Sequence, residues 1–222
     1  MELYHGSEVI VKKPIYGFGR SDNDYGSGFY CTQEWDMAAE WAAHSERGGF
    51  VNQYQIDTSN LTTLDLLSED YHILHWLSIL ISNRIVRLSS PVEKRAVSYI
   101  TERYHLDTTD YDIIKGYRAD DSYFSFVRAF LSNTITIEQL SVAMRLGDLG
   151  TQYMIQSSMS FDKIRFIGYD IIDGPLYYDK RIARDSTARN KYYELLDHED
   201  PSGHTVREIM KGAMSDDDIR LL

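Results

Sequence analysis

Between Asp70 and Tyr104 the apolar residues Ile73, Leu74, Leu77, Leu80 and Ile81 recur at three- and four-residue steps, which predicts a helix with one buried face. Pro91 starts a second helix that carries Val97 and Ile100. Elsewhere the period shortens to two. Residues 2–5 and 28–32 read as strands, Phe50 to Ile56 alternates, and Leu61 to Leu67 suggests a further short strand. Residues 8–26, broken by Pro14, Gly17, Gly19 and Gly26, form a loop. Asp36 opens an Ala-rich helix through Ala43, with Met37, Trp41 and His44 on one face, and Gly48-Gly49 stops it. Tyr111 to Tyr117 reads as a central strand. Helices follow over Ser122–Leu131 and Thr136–Leu146, the second opened by a Thr136…Gln139 capping box and closed at Gly147. Two late strands cover Gln152–Gln156 and Ile164–Ile171. Past Pro175 the chain is basic, helical from about Ser186 to Leu196, with a turn at Pro201-Ser202-Gly203 and a last helix over Val206–Met214.

Strands crowd both ends and helices crowd the middle, so the pattern predicts an α+β fold rather than an alternating doubly wound sheet. Residues 1–222 form one domain, with a helical insertion at about 68–105 and a basic helical tail at about 175–222. A hydrophobic content of 43% supports a single core. With 34 acidic against 23 basic residues the net charge is −11, which repels polyanions and favours a protein over a nucleic acid as partner. The single cysteine, Cys31, excludes an intrachain disulfide and reads as a buried strand thiol in a reducing cytosol. The start shows no signal-peptide pattern, and polar residues interrupt the most apolar stretch, Ile73 to Val86. A cytoplasmic protein without membrane contact is expected. His72, His75, His105, His198 and His204 lack metal-ligand spacing, so no metal is expected. There is no P-loop and no Rossmann fingerprint, and any NAD site would differ from that of a dehydrogenase.

Three short pieces carry the chemistry. Tyr4-His5-Gly6-Ser7 ends a strand with a histidine beside a glycine. Gly26-Ser27-Gly28-Phe29-Tyr30 runs a glycine-flexed loop into a strand bearing a tyrosine. Thr151-Gln152-Tyr153-Met154-Ile155 opens a late strand on an amide side chain. In this order, over roughly residues 2 to 172, they resemble the diphtheria-toxin and poly(ADP-ribose) polymerase branch of ADP-ribosyltransferases, and look most like a small bacterial family of that clan previously of unknown function. That branch holds NAD with a His, a Tyr and usually a Glu; here the set is His5, Tyr30 and Gln152.

The resemblance implies a split β-sandwich, two small antiparallel sheets forming an NAD cleft. It implies that His5 contacts the adenosine ribose, that the Gly6 backbone pairs with the nicotinamide amide, and that Ser7 and Gly28 border the ligand. Tyr30 offers a ring face for nicotinamide. Trp41 stands where the polymerase-type members carry a second stacking aromatic; pinning its helix to the sheet is the plainer alternative. The hydroxyl residue expected three positions earlier is Ala38. Gln152 can hydrogen-bond a ribose hydroxyl but carries no charge, so it cannot act as a base. Asp120 and Asp121 are then the candidates for a missing carboxylate, and Arg118 for the NAD pyrophosphate or the target, unless Arg118 and Asp120 form only a surface pair. Lys180, Arg181, Arg184, Arg189 and Lys191 make the one dense basic run, a phosphate or partner site or else a solvated helix face.

The implied activity is single ADP-ribose transfer from NAD, as co-substrate, to a macromolecular acceptor with release of nicotinamide. The implied setting is a bacterial toxin of a toxin–antitoxin or phage-defence module, with a cognate antitoxin as partner, or a delivered effector. Gln152 in the carboxylate position keeps a second reading open, a catalytically silent NAD- or ADP-ribose-binding module that works through a protein partner. A phosphate-removing RNA transferase would need several converging arginines, of which only Arg118 and the distant tail offer any.

Overall fold

A computed structural model describes residues 1–119, 121–146, 150–197 and 202–222, the side chains of 121–123 excepted. The expected helix stop at Gly147, the turn at Pro201, His198 and the candidate Asp120 lie outside these residues. Among the described residues the strands are β1 (Glu2–Ser7), β2 (Phe29–Thr32), β3 (Gly49–Ile56), β4 (Thr63–Asp65), β5 (Ile113–Tyr117), β6 (Thr151–Ile155) and β7 (Ile164–Ile172). They form one seven-stranded sheet in the order β4-β5-β6-β2-β1-β3-β7. All neighbours are antiparallel except β4 and β5. The fold is α+β.

Two separate small sheets were expected, and the structure joins them into one. The join is narrow. β1 pairs with β3 from Glu2 to Ser7 and β2 pairs with β6 from Phe29 to Thr32, but β1 meets β2 only at Tyr4↔Thr32. Beyond that pair the sheet opens. The Tyr111–Tyr117 strand is also less central than its apolar run suggests: β5 lies one place from the edge, covered by helices instead of by further strands.

The helices are α1 (Trp35–Ala42), α2 (Ile73–Asn83), α3 (Pro91–Arg103), α4 (Asp121–Leu131), α5 (Ile137–Ala143), α6 (Ser158–Asp162), α7 (Gly174–Asp197), α8 (Val206–Ile209) and α9 (Asp216–Arg220). The i, i+3, i+4 stripe of α2 is buried as predicted, with Leu74, Leu77 and Leu80 beside Trp76, Ile100, Phe126 and Phe130 in the largest core. That core also takes Ile114 and Met154 from the sheet, and Ala188 and Tyr192 from α7. A second cluster on the sheet holds Leu3, Cys31, Ile113 and Ile155; the Cys31 thiol is fully buried, and burial pushes its pKa well above the usual value. The tail helix starts some twelve residues earlier than its sequence suggested, because Pro175 sits in its first turn, where a missing N–H leaves no bond unmade. The last predicted helix, Val206–Met214, is shorter than expected: α8 ends at Ile209, Gly212 follows at φ +83°, and α9 lies beyond the predicted span.

His72 caps α2. Its Nδ1 accepts from the Leu74 N–H at 3.3 Å, and its own backbone N–H donates to His75 Nδ1 at 3.3 Å. Burial, followed by the neighbouring His75, pushes the His72 pKa down to about 4 from 6.5. The folded state therefore resists a proton that the unfolded chain accepts, so this contribution is full above about pH 6.5 and is lost as pH falls toward 4. The melting temperature should fall over that interval, and less steeply in His72→Asn, which keeps a capping acceptor but cannot titrate. Thermal unfolding followed from pH 7 to 4.5 checks both.

Candidate functional site

The opening between β1 and β2 is filled by a side chain. With the strand backbones parted, His5 Nδ1 donates to the Tyr30 carbonyl at 2.7 Å, and the imidazole rests on Phe29 at 4.5 Å between ring centres. Burial lowers the His5 pKa, against the pull of the Tyr30 carbonyl, so the ring is neutral near pH 7. Its proton is then on Nδ1, and Nε2 is left as an acceptor. His5, Ser7, Gly28, Phe29 and Tyr30 border a mainly apolar cavity of about 490 Å³, roofed by Val9, Val11, Ile15 and Phe18 of the long loop. Buried Asn52 holds that loop to β1: its amide donates to the His5 carbonyl at 3.2 Å and to Ser7 Oγ at 3.0 Å, and its oxygen accepts from the Val11 N–H at 2.8 Å.

A second cavity, of about 330 Å³, is lined by Tyr30, Trp41, Arg118 and Gln152 together with Asn23, Asp24, Arg84 and Ala119. Tyr30 and Asn23 border both cavities. Residues 30, 41, 118 and 152 thus converge from β2, α1, the end of β5 and β6. His5 is not in the same cavity as these but in the adjoining one. Strand register explains the arrangement: Tyr30 pairs with Met154 and Thr32 with Gln152, which puts Tyr30 and Gln152 on one face of the sheet, while Phe29 points to the other.

Gln152 is buried, and its Nε2 donates to Asp24 Oδ2 at 2.9 Å and to the Tyr117 carbonyl at 3.1 Å. Asp24 was missed by sequence reasoning, as was Arg84. The Asp24 carboxylate also accepts from the Ala119 N–H at 2.9 Å and pairs with Arg84 Nη1 at 3.0 Å. Burial holds this carboxyl above the usual carboxylate range; the Ala119 amide, Gln152, Arg84 and Arg118 pull the other way. The Tyr30 hydroxyl is occupied too. It accepts from the Tyr25 N–H at 3.0 Å and donates to the Gly26 carbonyl at 2.8 Å, closing the turn that presents Asp24. Gly26 sits at φ +86° in that turn, where other residues are strained.

The remaining candidates have other surroundings. Gly6 lines neither cavity; a Cβ there would lie 1.8 Å from the Ala38 carbonyl, so its smallness serves the docking of α1 on β1. A Cβ on Gly28 would meet Met154 Sδ at 2.1 Å. The Arg118 guanidinium lies over the Trp41 ring at 5.2 Å, covering one face of the expected stacking surface. Asp121 opens α4, and its side chain is outside the described residues. The tail's basic run is largely spent within the chain: Arg184 pairs with Glu40, Lys180 with Asp36 at 3.8 Å, and Arg189 with Asp185 at 3.1 Å. No group of three or more His, Cys, Asp or Glu able to hold a metal occurs among the described residues. Nor is any helix of these residues long and apolar enough to cross a membrane.

Gln152 faces two acceptors, so the position needs a donor. Gln152→Glu should therefore lower stability by about 1–3 kcal/mol near neutral pH, because it sets a carboxylate against the Asp24 carboxylate and the Tyr117 carbonyl. Equilibrium unfolding in urea measures this. Tyr30→Phe keeps the ring but frees the turn, so the Tyr25 amide should exchange its hydrogen faster than in the unaltered chain.

No curated protein and no solved structure matches the chain. One family does, over residues 1–166, and its description is "Protein of unknown function (DUF3990)". That span takes in β1 through β6 and every residue of both cavities, and the chain belongs to the DUF3990 family.

Proposed function

We propose that this protein binds NAD across the β1–β2 opening and transfers ADP-ribose to a macromolecular acceptor, releasing nicotinamide. One observation carries the reading: Tyr30, Trp41, Arg118 and Gln152, from four separate segments, line a cavity that adjoins the apolar cavity under His5. A dinucleotide needs two such compartments at once, with a polar stretch between them. The polar cavity suits nicotinamide riboside, with the Tyr30 ring as a wall and Arg84 and Arg118 offering positive charge toward a pyrophosphate. The apolar cavity suits an adenosine, and the His5 Nε2 acceptor suits a ribose hydroxyl. The sheet that parts after Tyr4↔Thr32 is what an ADP-ribosyltransferase-like split sandwich would look like with its halves still joined at one pair.

The net charge of −11 favours a protein over a nucleic acid as acceptor. The setting we attach to the activity, from the sequence resemblance, is a cytoplasmic bacterial toxin or effector with a cognate antitoxin. A second reading, the catalytically silent NAD-binding module, draws on one feature. Gln152 is uncharged and its amide is already engaged by Asp24 and Tyr117.

Incubation with nicotinamide-labelled and adenylate-labelled NAD in a bacterial lysate should release free nicotinamide and leave the adenylate label on protein. Tyr30→Ala should weaken NAD binding about tenfold to a hundredfold, the loss of an aromatic wall worth about 1–3 kcal/mol. Binding without nicotinamide release in any lysate would select the silent module. Absence of NAD binding by calorimetry would end both readings.

A further inference from the structure

We infer that Asp24 is the carboxylate that meets the reacting ribose, and that Gln152 is the residue that positions it. The inference rests on the ADP-ribosyl-transfer reading. Asp24 and Gln152 stand on the wall of the same cavity as Tyr30 and Trp41, joined by a 2.9 Å hydrogen bond. Gln152 has its amide nitrogen committed to two acceptors and has no charge to offer. A carboxylate has about four lone-pair directions. Ala119 N–H and Gln152 Nε2 take two at Oδ2, and Arg84 takes one at Oδ1. That leaves Oδ1 a direction for a substrate hydroxyl.

Among the described residues the groups facing Asp24 are Arg84 at the end of α2, Arg118 after β5, the Tyr25 and Tyr30 hydroxyls, and Gln152 on β6. Burial raises the pKa of this carboxyl, and the two guanidiniums pull it back toward the anion. The buried site keeps its charge unscreened, where it counts for more than in water.

In the step, the bond between the ribose C1′ and the pyridinium nitrogen breaks, and its electron pair leaves with nicotinamide. The positive charge passes to the ribose, where the Asp24 carboxylate stabilises it. A lone pair of the acceptor forms the new bond to C1′, and the acceptor's proton passes to Asp24 and then to water. Acceptor and NAD give ADP-ribosyl acceptor, nicotinamide and one proton.

The test measures nicotinamide release and NAD affinity together. Asp24→Asn should lower turnover by about a hundredfold or more, with NAD affinity changed by less than about threefold, as for loss of one group acting mainly in the transition state. Gln152→Ala should lower turnover less, and a pH–rate profile should show its acid limb displaced. Arg84→Gln leaves the carboxylate in place but removes a cation from it, so the acid limb should move up by about one pH unit. This variant decides the matter if Asp24→Asn fails to fold, which thermal melting would reveal. A folded Asp24→Asn with turnover within about threefold of wild type, or an acid limb unmoved by Arg84→Gln, overturns the inference while leaving the transfer reading intact. A wild type that releases no nicotinamide with any acceptor overturns the transfer reading, and this inference with it.

Discussion

One buried carboxylate holds the polar cavity together. Asp24 comes from a loop with no regular structure, yet it is anchored at three points: Arg84 at the end of α2, the Ala119 amide beyond β5, and the Gln152 amide on β6. These lie 60, 95 and 128 positions away in sequence. Taking a carboxylate out of water costs several kcal/mol unless donors replace the lost hydration, and here an ion pair and two N–H groups do so. The loop, the end of α2 and two strands are thereby fixed relative to one another. The Tyr30 hydroxyl completes the device by closing the Tyr25–Gly26 turn from beneath.

The second constraint is the opening between β1 and β2. A parted pair of strands leaves backbone groups without partners, which is costly when buried. His5 meets part of that demand by donating to the Tyr30 carbonyl, and Asn52 satisfies the carbonyl of His5 itself. The ring that mends the backbone also borders the apolar cavity.

Much of the fold was legible because burial imposes a period. The 3.6-residue stripe of α2, the two-residue alternation of β3 and the Thr136…Gln139 box at α5 all appear where the pattern put them. What the pattern missed depends on contacts remote in sequence. Nothing in Gly- and Asp-rich residues 17–28 distinguishes Asp24 from Asp22, and either reads as a turn former. The useful signal was indirect. Gln152 stands where the resemblance implies a carboxylate, and the acid its amide meets, Asp24, comes from the loop preceding Tyr30. Arg184 of the basic tail is a further case, since its partner is Glu40, on the first helix.

That pairing bears on how the site is held. Arg184 and Glu40 are both mostly buried, with side chains 16% and 10% exposed, and two guanidinium N–H groups, Nε and Nη2, donate to the one oxygen Glu40 Oε2. Removing one partner from such a pair typically costs about 3–5 kcal/mol, because the other is left buried and unpaired. Glu40 is adjacent to Trp41 on α1, and Gly6 lets the opposite side of α1 sit directly on β1. The Trp41 wall is therefore set from below by a glycine within the family-matched span and from above by a helix that lies beyond residue 166. Since α7 also sends Ala188 and Tyr192 into the large helical core, it couples α1 to the insertion that carries Arg84. The two walls of the polar cavity, Trp41 on one side and Arg84 on the other, are braced by one continuous helix that lines neither.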